Sequence, residues 1–330
     1  MISLRWLWRI IPLSRSFKER IKGLIYRLFS IYLSEHDYYK HWKNAQVFAD
    51  EPSSLISWKK IFVSTQRYYI PKSPEKHKIN NYNVAVAIHA FYTDVFEEIL
   101  LMLKDSYETN LKLFVTTTDN QFKEVERLLI KQHFDFQILI VKNRGRDILP
   151  FIKVIPLILH GGFDFVLKLH TKKSLYVKNS EEWRNDLYEK LIGLGKIKQN
   201  INIFAQNQNI GMIGPAGHIL PMHLYYGSNP DKVIELSDRM GLDRHDLKGL
   251  SFVAGSMFYA RTQVFKPLLN LELEEEEFRH RDLDHDGALA HAVERAFSAS
   301  LLKSGYYLAD TDYDPGESVL HITRNYQFTL

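Results

Sequence analysis

From Asn83 onward, short apolar runs alternate with stretches of helical period. The run Val84-Ala-Val-Ala-Ile-His-Ala90 is β-prone, and residues 94–104 follow with Val95, Ile99, Leu100 and Leu103 on one helical face. Residues 111–116 read as a second strand and 121–132 as a second helix. A third pair spans 136–141 and 148–159, and 163–169 reads as a fourth strand. Strands alternating with helices of about ten residues predict βαβ units, a mostly parallel sheet and right-handed crossovers that cover both faces. Later elements read less regularly. A helix is expected to about Ile192, a short strand from Ile210, one strand over 251–261 with small residues at its centre, a helix over 287–303 capped by Asp286, and a last strand over 306–309.

Ligands of such sheets bind beyond the carboxyl ends of the strands. Those ends read His89-Ala-Phe-Tyr92, Thr116-Thr-Thr-Asp119-Asn120, Asn143-Arg-Gly-Arg-Asp147 and His170-Thr-Lys-Lys-Ser174. All four carry polar, hydrogen-bonding or charged groups, which together favour a polar, phosphorylated ligand. His89, Tyr92, Thr117 and Asp119 are candidate ligand contacts. Asn143, Arg144, Gly145, Arg146 and Asp147 join a strand to a helix start, where free N–H groups and arginines suit a phosphate. The alternative there is Asp147 as a cap paired with a neighbouring arginine. Lys168, His170 and Lys172 share one side of their strand by alternation, with Lys173 beside them. An inward Lys168 needs a partner. The cluster would hold a leaving diphosphate, stabilising charge that grows in the transition state; alternatively its lysines face water.

Composition narrows the picture. The 330 residues are 45% apolar with no cysteine, so a sizeable core forms without disulfides, and thiolate metal sites are excluded. A net charge of +4 is too small to argue for nucleic acid. The charge is uneven: residues 1–30 carry Arg5, Arg9, Arg15, Lys18, Arg20, Lys22 and Arg27 against Glu19. Apolar positions 17, 21, 24, 25 and 28 keep helical spacing, and cations interrupt every apolar run before it could span a bilayer. This basic amphipathic segment reads either as lying on an anionic membrane surface or as packed on the main domain with a solvated basic face. Residues 1–80 form the expected extension, 81–310 the main domain and 311–330 a tail.

Asp286, at an expected helix start, could serve as a general base. Trp183, Arg184, Gly255 and His291 are candidates for an acceptor groove, with packing an equal reading for Trp183 and Arg184. Asp282, Asp284, His285 and Asp286 match no specific metal-ligand spacing.

The strings Ala87-Ile-His-Ala-Phe-Tyr92, Asn143-Arg-Gly-Arg-Asp-Ile-Leu-Pro-Phe151, Lys168-Leu-His-Thr-Lys-Lys-Ser174, Trp183-Arg184, Gly211-Met-Ile-Gly-Pro215 and Asp286-Gly-Ala-Leu-Ala-His-Ala-Val-Glu-Arg295 resemble the rhamnan synthesis protein F family over about residues 83–310. The resemblance implies a GT-A-like, Rossmann-like glycosyltransferase of bacterial surface polysaccharide assembly, such as O-antigen. It implies inverting transfer of rhamnose or another deoxysugar from a nucleotide-sugar donor to a lipid-linked glycan, on the cytoplasmic face of the membrane. Asp286 is the base by analogy with the acidic residue before a late helix in such enzymes. Those enzymes usually hold a divalent metal on an Asp-x-Asp pair at the end of strand four. Here that place reads His170-Thr-Lys172, so the expectation is that no cofactor is required, Mg²⁺ or Mn²⁺ is doubtful, and the cations Lys168, His170, Lys172 and Lys173 substitute for it. The competing expectations are a non-catalytic binding component of a synthase complex and a membrane-surface scaffold acting through residues 1–80.

Overall fold

The computed structural model describes residues 82–105, 111–171, 173, 180–227, 229–278, 288–323 and 326, the strand at 65–70, and positions 21, 24, 25, 28, 29 and 32 of an N-terminal helical stretch. The expected extension contributes β1 (Thr65–Tyr69). The predicted alternation follows as β2 (Val84–His89), α1 (Thr93–Asp105), β3 (Leu111–Thr117), α2 (Phe122–Gln132), β4 (Asp135–Ile140), α3 (Ile148–His160) and β5 (Phe165–His170). Then come α4 (Ser180–Ile192), α5 (Lys196–Gln206), β6 (Ile210–Gly214), β7 (Ile219–Pro221), α6 (Met222–Tyr225) and α7 (Pro230–Arg239). The chain continues through β8 (Ser251–Val253), β9 (Phe258–Arg261), α8 (Lys266–Leu269), α9 (Leu289–Lys303), β10 (Tyr307–Asp310) and β11 (Val319–Thr323).

Seven strands form the central sheet in the order β10-β6-β9-β5-β2-β3-β4. All neighbours are parallel except β9, which runs antiparallel to β5 and β6. The fold is therefore α/β, with a mostly parallel, Rossmann-like sheet flanked by helices. β2 and β5 are buried throughout, apart from half-buried His89, and apolar except for His89, Lys168 and His170 toward their carboxyl ends, as central strands covered by helices on both faces are. β4 alternates between exposed and half-buried positions because it is the sheet edge.

Strand order reverses at β2: β3 and β4 add on one side and β5 on the other. This is the topological switch point, and His89 and His170 are register partners across it. Beneath it, Phe151 of α3 meets Phe258, Phe265 and Phe297 edge-on, at centroid distances of 6.1, 5.1 and 5.7 Å. This apolar layer ties α3, β9 and α9 under the strand ends.

Two expectations are corrected. Residues 251–261 are not one strand. β8 and β9 belong to different sheets, because Gly255 (φ 85°) and Ser256 (φ 49°) both adopt left-handed backbone and break the ladder between them. Nor does Asp286 cap the late helix. The N-cap is Ala288, in extended conformation, and α9 begins at Leu289, two residues later than expected. Residues at the two ends of the chain also meet: β1 pairs antiparallel with β11, and Tyr326 is buried with its hydroxyl 2.6 Å from His218 Nδ1.

Candidate active site

The antiparallel course of β9 places its start at the carboxyl end of β5, with Lys168 opposite Phe258. Ser256, two residues earlier, thus reaches the Lys168 ammonium. Lys168 is 1% exposed and donates to Asp147 Oδ2 (2.5 Å), Ser256 O (2.8 Å) and Ser256 Oγ (2.9 Å). These contacts use all three of its N–H donors. Ser256 Oγ donates in turn to Asp147 Oδ2 at 2.5 Å, and His170 Nδ1 stands 3.4 Å from the same oxygen. Asp147 occupies the N-cap position of α3, yet its side chain makes no cap bond and turns to Lys168 rather than to a neighbouring arginine. The inward Lys168 expected from alternation has its partner, and the ion pair joins β5, α3 and the β8–β9 turn.

The chain geometry before α3 depends on Gly145. Its φ is +62°, and an added Cβ would sit 2.6 Å from Leu149 Cβ and 2.7 Å from the Phe278 ring. Arg146 follows, also left-handed (φ 54°), and is exposed with Asn143. Arg144 is half-buried, and its Nε has no hydrogen-bond partner among the described residues.

On the β2 side, His89 Nδ1 lies 3.0 Å from Thr116 Oγ1. Thr171 Oγ1 accepts from the N–H groups of Phe91 and Tyr92 (both 2.9 Å), stapling the loop after β2 to the end of β5. Thr117 is spent on the Ala90 carbonyl (2.7 Å), and Asp119 is exposed in a single 3₁₀ turn beyond β3. Lys173 pairs with Asp94 at the start of α1 and lies 5.0 Å over the Tyr92 ring. A cavity of about 10 Å³ lies below, lined by His89, Thr116, Asp147 and Lys168 among others. It has room for at most one water. It cannot hold a nucleotide-sized ligand.

Gly255 faces Trp183 of α4, whose Cζ2 lies 3.5 Å from where a Gly255 Cβ would be, and its N–H donates to Glu294 Oε1 (3.1 Å). Arg184 turns away to Glu98 of α1 (3.4 Å) and ties α4 to α1. His291 lies in the first turn of α9, where its carbonyl accepts from Arg295. Arg295 otherwise holds the Tyr225 carbonyl (2.6 and 3.0 Å). Lys172 and Asp286 lie outside the described residues. Among the described residues, no three His, Cys, Asp or Glu side chains cluster closely enough to hold a metal ion. Ser256, Thr171 and Thr116 are site residues not singled out from the sequence. Their only signal was the small-residue centre of 251–261 and the threonines at the ends of two strands.

The electrostatics have a measurable consequence. Burial drives the His89 pKa down to about 4, with Asp147 opposing and Lys168 reinforcing the shift. Burial would raise the Asp147 carboxyl, but His170 and Lys168 beside it outweigh that and hold it well below the usual carboxylate range. Between pH 6.5 and 4 the unfolded chain binds a proton at residue 89 that the folded chain does not, so stability falls as pH drops through that window, by at most about 3.4 kcal/mol. The Asp147 contribution is complete above its unfolded pKa, about 4, and is lost below it. Denaturant titrations at stepped pH should show His89→Gln abolishing the first loss and sparing the second.

The chain matches the rhamnan synthesis protein F family over residues 13–306, reaching well into the segment expected as an extension. It is 30% identical over 279 residues to the uncharacterized protein WxcX of each of two strains of Xanthomonas campestris pv. campestris, which covers 84% of this chain. The chain spans 39% of the length of those relatives. Among the described residues, no helix is long and apolar enough to cross a membrane. With most of its length matched and its sheet Rossmann-like, the chain belongs to the rhamnan synthesis protein F family.

Proposed function

We propose that this chain is a glycosyltransferase that moves a sugar, rhamnose or another deoxysugar, from a nucleotide-sugar donor to a lipid-linked surface polysaccharide with inversion. The observation that carries the reading is the pairing of His89 with His170 across the switch point, above a buried Lys168–Asp147–Ser256 lattice. A crevice of this kind is where phosphorylated ligands bind in parallel sheets. Because all three Lys168 N–H groups are engaged, Lys168 and Asp147 act as positioning residues. The diphosphate falls to the cations around the rim: Arg144, Arg146, Lys173 and, from its place in sequence, Lys172. These side chains take over the electrostatic task of a divalent metal, stabilising the departing phosphate oxygens. Asp286 is assigned as the base that takes the acceptor hydroxyl proton, and Trp183 with Gly255 forms the acceptor side.

A screen of nucleoside diphosphates and their sugars by thermal unfolding tests this. The matching ligand at 100 times its Kd should stabilise the protein by about 2.7 kcal/mol. Arg144→Ala and Arg146→Ala should each remove most of that gain while leaving the free protein's stability within about 0.5 kcal/mol. Release of nucleoside diphosphate from the donor should accompany binding. Binding without any release would favour a non-catalytic component of a synthase complex. Turnover lost in chelator and restored only by Mn²⁺ or Mg²⁺ would overturn the assignment of the metal's task to side chains.

A further inference from the structure

The N-terminal segment offers a surface that the transfer reaction does not use. Described side chains at helical spacing expose their apolar bodies: Leu24 by 60%, Ile25 by 40%, Leu28 by 70%, Phe29 by 52% and Tyr32 by 83%. The backbone bond from Phe29 N–H to the Ile25 carbonyl (2.9 Å) confirms a helical turn there. At 3.6 residues per turn, positions 24, 25, 28, 29 and 32 occupy one continuous arc. A helix packed on the main domain with its basic face in water would bury this arc. Instead the arc faces solvent.

The charge pattern identifies the occupant. In the sequence, Lys22 precedes these apolar positions and Arg27 interrupts them, and the only acidic residue among the first thirty is Glu19. Cations flanking an apolar strip place their heads among anionic phosphates while the strip enters the acyl boundary. A protein partner would need its own complementary acidic frame; an anionic bilayer supplies negative charge over its whole surface. The cations break the apolar run, so the segment lies in the surface rather than crossing it.

We propose that the face formed by Leu24, Ile25, Leu28, Phe29 and Tyr32 docks the protein on an anionic phospholipid surface. This rests on exposure and charge alone and is independent of the transferase reading. The test is flotation of the full chain with vesicles of phosphatidylcholine, alone or with phosphatidylglycerol. Binding should require phosphatidylglycerol and weaken as salt is raised. The double variant Leu24→Glu/Leu28→Glu should lose about tenfold or more of its partitioning with an unchanged thermal midpoint. Lys22→Gln/Arg27→Gln should weaken binding to phosphatidylglycerol vesicles and flatten the salt dependence. Three results would overturn the proposal: equal partitioning of wild type and the double Glu variant, a midpoint lowered as by a core substitution, or a lipid-free dimer that the double Glu variant converts to monomer. The second would mean that the face packs on its own domain, the third that it packs on a second copy.

Discussion

Lys168→Met should cost about 3–5 kcal/mol of folding stability, and Asp147→Asn at least as much, although each substitution nearly preserves side-chain volume. The reason is the position of the pair. Lys168 sits at the centre of the sheet, 1% exposed, with Phe151 and Phe258 rings 5.5 and 6.0 Å from its ammonium. Remove Asp147 and that ammonium faces only the Ser256 oxygens and two ring faces. Remove Lys168 and the carboxylate keeps Ser256 Oγ and the more distant His170 Nδ1, 3.4 Å away. In either case a charge stays buried without its main partner. The double variant Lys168→Met/Asp147→Leu removes both charges and should recover most of the lost stability, so the cycle would be strongly non-additive. Ligand binding should not return with it, since the lattice that orients His170 and the Gly255–Ser256 turn would be gone. Denaturant unfolding measures the first outcome and the thermal-shift response to nucleoside diphosphate the second. A single-variant cost below about 1 kcal/mol would show that Lys168 is solvated like an ordinary surface lysine.

How legible this was in the sequence follows the range of the interactions involved. The β2-to-β5 half could be read residue by residue, because each strand is a short apolar run and each helix a clear 3.6-residue stripe. The strand ends then follow from topology, so His89, Asp147, Lys168 and His170 could be gathered on one edge before any contact was known. The partner of Lys168 was not legible. Asp147 lies 21 residues away and Ser256 lies 88, and neither is marked by composition. What joins them is β9 running backwards between β5 and β6, a non-local choice that alternation cannot express. The same limit explains the misread strand over 251–261. Phe252 and Phe258 are equally apolar, and only left-handed backbone at Gly255 and Ser256 sends them into separate sheets.

The region after β6 was least legible for a related reason. α7 has a strong amphipathic pattern opening on Pro230, yet its sequence is polar enough to pass for a loop when taken alone. Its burial comes from α9, and its existence is a tertiary fact. Residues 65–70 and 326 show the same dependence. β1 is a strand because β11 lies beside it, and Tyr326 is buried because His218 and Trp183 receive it, with ring centroids 5.5 and 6.0 Å away.

Gly145→Ala should destabilise the protein by about 3 kcal/mol and weaken nucleoside diphosphate binding more than tenfold. Two separable costs meet here. Left-handed backbone costs an alanine about 1 kcal/mol. The new methyl must also occupy space 2.6 Å from Leu149 Cβ and 2.7 Å from the Phe278 ring. Leu149 Cβ is fixed to the backbone of α3, so the clash is relieved only by moving that helix, at an overpacking cost of about 1–3 kcal/mol. Gly195→Ala provides the control: φ is +73° there and nothing lies within 4 Å of the added carbon, so only the backbone cost applies. The difference between the two variants measures the contact alone. Moving α3 also moves Asp147 at its N-cap, and with it the acceptor that holds Lys168. Gly145→Ala should therefore lose nucleoside diphosphate binding while Gly195→Ala retains it. Equal stabilities for the two variants would mean that α3 yields freely and that the site is not held from this side.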